Sequence, residues 1–136
     1  MALKGLRTGT ADVDTVTRLD RVITAAVAEV AARRELRSDW LNDRAAPFAP
    51  AGLSSDECEV LFDHGRLVAL GPPPDAVFLM KLQAARAGDA DDMRALWPTC
   101  SFADPAQAVA AFYEAYPHEE LDPHLLEFVS RTVGAG

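Results

Sequence analysis

The chain has 136 residues, with 13 basic against 21 acidic side chains and a formal net charge of −8. Half of it is hydrophobic and a quarter charged, the balance of an ordinary soluble domain, long enough to bury roughly 65–70% of its unfolded surface in one core. No apolar run approaches the ~20 residues that cross a bilayer, and no charged-then-apolar leader opens the chain. Membrane contact is therefore not expected. The acidic balance argues against general binding to a nucleic-acid backbone, which draws on clustered Lys and Arg. Cys58 and Cys100 form neither a disulfide framework nor a CxxC pair, so the expected setting is a reducing cytoplasm.

Thr10 to Val16 alternates in character and ends in β-branched residues, the pattern of a strand. From about Arg18 to Arg34, the residues Leu19, Val22, Ile23, Ala26, Val27 and Val30 recur at helical spacing and predict one buried stripe. Trp40-Leu41-Asn42-Asp43 follows, and Ala45 to Ser55 reads as loop. Glu59–Phe62 and Arg66–Leu70 predict a hairpin turning at Asp63-His64-Gly65. Pro72-Pro73-Pro74 stops that sheet.

Asp75 then reads as the N-cap of a helix over Ala76 to Ala87, closed by Gly88. Its segment Val77-Phe78-Leu79-Met80-Lys81-Leu82 is apolar nearly all round, the mark of a deeply buried helix. A short helix follows from Asp89 to about Trp97-Pro98. Asp104-Pro105 and Asp122-Pro123 predict two more helix starts. The expected class is α+β: one domain over 1–136, with a small mixed sheet of about three strands in 1–70 and covering helices in 71–136.

Asp12 and Asp14 are two apart on the predicted strand, so their carboxylates share a face, and a divalent cation such as Mg²⁺ is the usual remedy for their repulsion. An isolated D-x-D is more often a solvated acidic edge. Lys81 within its apolar run must either reach solvent or meet a carboxylate, and Asp89 and Asp92 stand close downstream. The plain expectation there is a helix-end ion-pair network. The functional one places Lys81 and Arg86 on nucleotide phosphates. His64, His118 and His124 lack metal-ligand spacing, and Cys100 beside Ser101 has no placed base.

Gly5-Leu6-Arg7-Thr8-Gly9-Thr10-Ala11-Asp12-Val13-Asp14 resembles the "R-x-x-T-x-D-h-D" strand of small bacterial nucleotidyltransferase-like proteins of the polymerase-β superfamily, the abortive-infection AbiEii type and its relatives. Phe78 to Asp92 is similar to their "L-x-x-K-L-x-A-x-R-x-x-D-x-x-D" segment, and Trp40-Leu41-Asn42-Asp43 to a "W-L-N-D" element. The resemblance covers most of the chain in the same order. It implies that Asp12 and Asp14 hold Mg²⁺. It further implies that Thr10, Lys81, Arg86 and Asp89 face an NTP, and that Asp12, Asp14 and Asp92 form the catalytic set.

Two departures accompany the match. The family's opening helix, with its Gly-Gly or Gly-Ser phosphate cradle, is represented at most by a tail in Met1-Ala2-Leu3-Lys4-Gly5, and Arg66–Leu70 carries no third carboxylate. The expectation is thus a truncated nucleotidyltransferase-like fold, part of a toxin–antitoxin or phage-defence pair, with weak transfer at most. The alternative is a catalytically silent protein–protein interaction module. Residues 1–7 are expected to be helical or mobile, and the apolar surface beside 1–10 to be covered by a second copy or a partner protein. Asp12, Asp14 and Lys81 are expected to converge within roughly 8 Å, as a metal-linked site would require.

Overall fold

Two stretches have the local chemistry to order themselves: a capped helix that returns to a parallel strand, and an apolar helix around which others pack. The computed structural model describes residues 12–84 and 89–134. The chain divides into two units, Met1–Ala49 and Pro50–Gly136. The described residues are α+β, with five helices and two small sheets. The strands form two separate pairs rather than one sheet of three.

In the first unit, β1 (Val13–Asp14) and β2 (Leu41–Asn42) pair in parallel, with α1 (Arg21–Arg34) between them in the chain. A parallel pair needs such a crossover, because a tight turn cannot reverse the chain twice. Val13 N–H donates to Trp40 O at 2.6 Å and Thr15 N–H to Asn42 O at 2.8 Å. Of the expected strand, Thr10 and Ala11 lie outside the described residues, and pairing stops at Asp14.

The helix begins at Arg21, three residues later than its periodicity suggests, because Asp20 caps it: its Oδ1 accepts the Ile23 N–H at 2.8 Å. It ends at Glu35, held in the left-handed region at φ 54°. The predicted stripe is only partly buried. Val27 and Ala31 are covered, while Val22 is 78% exposed. A helix of 14 residues runs about 21 Å, and strands of two residues, about 7 Å, are too short to cover it.

The second unit opens with a hairpin, β3 (Glu59–Asp63) and β4 (Val68–Gly71). Asp63 Oδ1 accepts the Gly65 N–H at 2.9 Å, and Gly65 takes φ +72°, a conformation that favours glycine. His64 and Arg66 are consumed in the turn, so β4 starts two residues later than expected. A bulge falls between Val60 and Phe62.

The helix α2 (Pro74–Ala84) begins before Asp75, not after it. Pro74 brings its fixed φ to the first turn, where a missing N–H costs nothing, and Pro73 O accepts the Val77 N–H at 3.2 Å. Asp75 is thereby freed from capping. Its Oδ1 accepts the Ser101 N–H at 2.8 Å, and its Oδ2 accepts the Ser101 hydroxyl.

As the sequence predicts, α2 is the centre of its unit: Ala76, Val77, Phe78, Leu79, Met80 and Leu82 are all buried. The four largest contribute about 1.5–3 kcal/mol each by transfer from water. Around α2 pack α3 (Asp89–Leu96) and α4 (Pro105–Ala115), and α5 (Leu125–Val133) closes on α3 and α4. Phe78 meets Trp97 at 5.3 Å and Phe102 at 5.9 Å between ring centroids. Asp104 caps α4 as expected, its side chain accepting the Gln107 N–H at 2.9 Å. Asp122 does not cap α5. It closes a turn by accepting the His124 N–H, and the helix starts at Leu125.

Candidate functional site

The residues singled out from sequence fall in two places. Asp12 and Asp14 belong to the first unit; Lys81, Asp89 and Asp92 belong to the second. Thr10 and Arg86 lie outside the described residues.

At the first place, Asp12 and Asp14 flank Val13 at the start of the parallel pair, both half-buried. Asp12 Oδ2 is 3.4 Å from Arg44 Nη2, so a cation of the same chain already stands beside it. Arg44 is placed by Asn42, which sequence reading left without a role. The Asn42 Oδ1 accepts from both the Arg44 backbone N–H (3.1 Å) and its Nε (3.0 Å), while Nδ2 donates to Asp39 O at 3.3 Å. Trp40 and Asp43 have local work too. The indole donates to Val27 O of α1 at 3.0 Å, and Asp43 Oδ2 accepts the Leu19 N–H at 3.0 Å.

The W-L-N-D segment is thus a bracket that holds the helix, the strand pair and one arginine together. The signal was present in the sequence as Asn42 two residues before Arg44, the spacing at which an amide side chain reaches a following backbone N–H. Two carboxylates are the share Mg²⁺ takes from a protein when phosphate oxygens complete its shell, so the donor chemistry of Asp12 and Asp14 fits that ion. Among the described residues, no three His, Cys, Asp or Glu side chains form a group able to hold a metal alone.

At the second place, the spacing brings three charges together. Lys81 Nζ donates to Asp89 Oδ1 at 3.1 Å and to Asp92 Oδ2 at 3.0 Å. The three side chains are 15%, 13% and 10% exposed. Lys81 sits one turn before the end of α2 as described, and both aspartates lie in the first turn of α3, where the helix dipole favours negative charge. Lys81 is therefore not reaching for solvent. It is bound between two carboxylates and joins two helices, and these three described side chains sum to a charge of −1. Asp91, between them, turns outward to Arg94, and that pair is solvent-exposed.

Cys100, Ser101 and His64 each have a local partner. Burial, then the Asp75 carboxylate and its hydrogen bond, push the Cys100 thiol up to about 12, which suppresses the thiolate a nucleophile needs. Ser101 donates to Asp75 with no histidine in the pair. His64 stacks on Phe62 at 4.5 Å.

No helix among the described residues is long and apolar enough to cross a membrane. No protein-family model matches the chain, and neither a curated protein nor a solved structure does.

Proposed function

We propose that this chain is a nucleotidyltransferase-like protein, one half of a bacterial toxin–antitoxin or phage-defence pair, with weak transfer activity of its own. The observation that carries this is the Lys81–Asp89–Asp92 cluster. Three ionised groups are withdrawn from water at a helix junction, where apolar side chains of similar size would serve stability as well or better. The three groups also occupy the Lys and Asp positions of the resembling motif.

In this reading Asp12 and Asp14 hold Mg²⁺, whose chemistry is to neutralise the phosphates of a bound NTP. The resemblance assigns Lys81, Arg86, Thr10 and Asp89 to NTP contact and Asp92 to the catalytic set. Two carboxylates already share the Lys81 charge, which supports weak rather than efficient phosphate binding. The test is thermal shift with each NTP, with and without Mg²⁺, alongside transfer of label from NTP. A small rise in Tm that needs both NTP and Mg²⁺, and is lost in Asp14→Ala, is expected. No shift with any NTP at millimolar concentration overturns the reading.

A second reading has its own support. The β3–β4 hairpin leaves Val60, Leu61, Phe62, Val68 and Leu70 between 40% and 58% exposed, which favours a catalytically silent module whose work is contact with a partner protein or a second copy. Protein that binds no nucleotide, yet sediments as a dimer or changes its sedimentation when a candidate partner protein is added, would be the result expected of that module.

A further inference from the structure

A hairpin of two strands is at best marginal in water without a third strand or a covering element. Among the described residues neither β3 nor β4 pairs with any further strand, and all five residues of β3 are exposed. The ribbon is apolar on both sides. In register, Glu59 faces Gly71 and Phe62 faces Ala69, while Val60 faces Leu70 and Asp63 faces Val68. Side chains two apart along β4 share a face, so one face carries Glu59, Phe62 and Ala69, and the other carries Val60, Asp63, Val68 and Leu70. The bulge is what separates the two carboxylates. Without it, Glu59 and Asp63 would share one face; with it, each apolar face has one acid at its margin.

The two edges are not equivalent. Beyond β4 stand Pro72, Pro73 and Pro74, which have no N–H to offer an added strand, so pairing on that side cannot extend. Beyond β3 there is no such block, and Asp56 and Glu57 stand exposed before it. The whole segment 50–136 holds fourteen acidic and five basic residues, net −9, whereas 1–49 is nearly balanced. A second copy is a poor occupant of this edge. Two such acidic segments, each net −9, repel one another on approach.

We propose that the free edge of β3 receives an extended, basic segment of a different protein as a third strand. Backbone hydrogen bonds give the affinity, and Lys or Arg residues placed on opposite faces of the incoming strand meet Glu59 and Asp63. This goes beyond the nucleotide reading and does not rest on it.

The test is fluorescence anisotropy with three labelled octapeptides: a valine–threonine strand with lysine at positions 3 and 6, an odd spacing that sets the two cations on opposite faces, the same with glutamate for lysine, and the lysine form N-methylated at alternate peptide bonds. The lysine peptide should bind at least tenfold more tightly than either of the others. Glu59→Lys with Asp63→Lys should lower that affinity about tenfold, while the charge-matched control Glu120→Lys with Glu127→Lys should change it less than threefold. Circular dichroism checks that both double variants stay folded. Equal loss in both variants means general attraction to an acidic protein and overturns the proposal. So does equal binding of the N-methylated peptide, or no binding at millimolar concentration. Sedimentation of the unliganded protein as a dimer that the lysine peptide dissociates would assign the edge to a second copy and overturn it likewise.

Discussion

Replacing Lys81 by methionine isolates what the buried ion cluster contributes. Methionine fills nearly the same volume and leaves Asp89 and Asp92, 13% and 10% exposed, facing each other without their shared cation. Breaking a buried pair from one side costs about 3–5 kcal/mol, because the remaining charge is desolvated and uncompensated. Two hydrogen bonds of 3.0 and 3.1 Å are lost together, and some water can reach the carboxylates, so about 3 kcal/mol is the expected loss.

The chain has two tryptophans, one in each unit, and Trp97 packs on Phe78 of α2. In a Trp40→Phe background, Trp97 fluorescence therefore reports urea unfolding of the second unit alone. The expected result is a fall in the urea midpoint without a change in slope. Adding Asp89→Asn and Asp92→Asn to Lys81→Met should restore most of the loss, since neutral amides can pair with each other. A loss below about 1 kcal/mol, within the range of a solvated surface pair, would refute the view that this cluster is a buried junction.

Glu35 closes α1 in the left-handed region, so Glu35→Gly should stabilise the first unit by about 0.5–1 kcal/mol, read from Trp40 fluorescence; destabilisation would count against that conformation. Asp75→Ala removes both bonds to Ser101 and should cost the second unit about 1–2 kcal/mol in urea unfolding, with Ser101→Ala costing less because the backbone N–H bond survives. Cys100 and Tyr116 are both raised to about 12, chiefly by burial, so the unfolded chain loses these protons first as pH rises. Stability from these groups is thus full below about pH 9 and falls from there toward pH 12, and Cys100→Ser should flatten the fall. Asn42→Ala should cost about 2 kcal/mol and free the Arg44 side chain, seen as loss of protection of its Nε proton in NMR exchange.

Much of this molecule was legible in one dimension. The run from Val77 to Leu82, apolar but for Lys81, names a buried helix whatever surrounds it, since almost no face of such a helix tolerates water. Asp104-Pro105 names a helix start because both the cap bond and the proline φ act within one turn. The α+β class follows from the order of these local elements, and a lysine inside the apolar run announces a partner for itself. That it chooses both Asp89 and Asp92 was readable from their spacing.

The rest depends on groups far apart in the chain. Whether three strands share one sheet is decided by which edges meet, and a strand of two residues carries too little pattern to say; β2 inside Trp40–Asp43 was invisible for that reason. Asp75 has the chemistry of a cap, yet the backbone starts its helix one residue earlier at Pro74 and Ser101, 26 residues away, takes the carboxylate. Val22 fits the helical stripe but stays exposed, because amphipathicity states which face could be buried and only the area of the packed neighbour sets how much is. Local propensity acts over about one turn, and beyond that range tertiary contact determines the outcome.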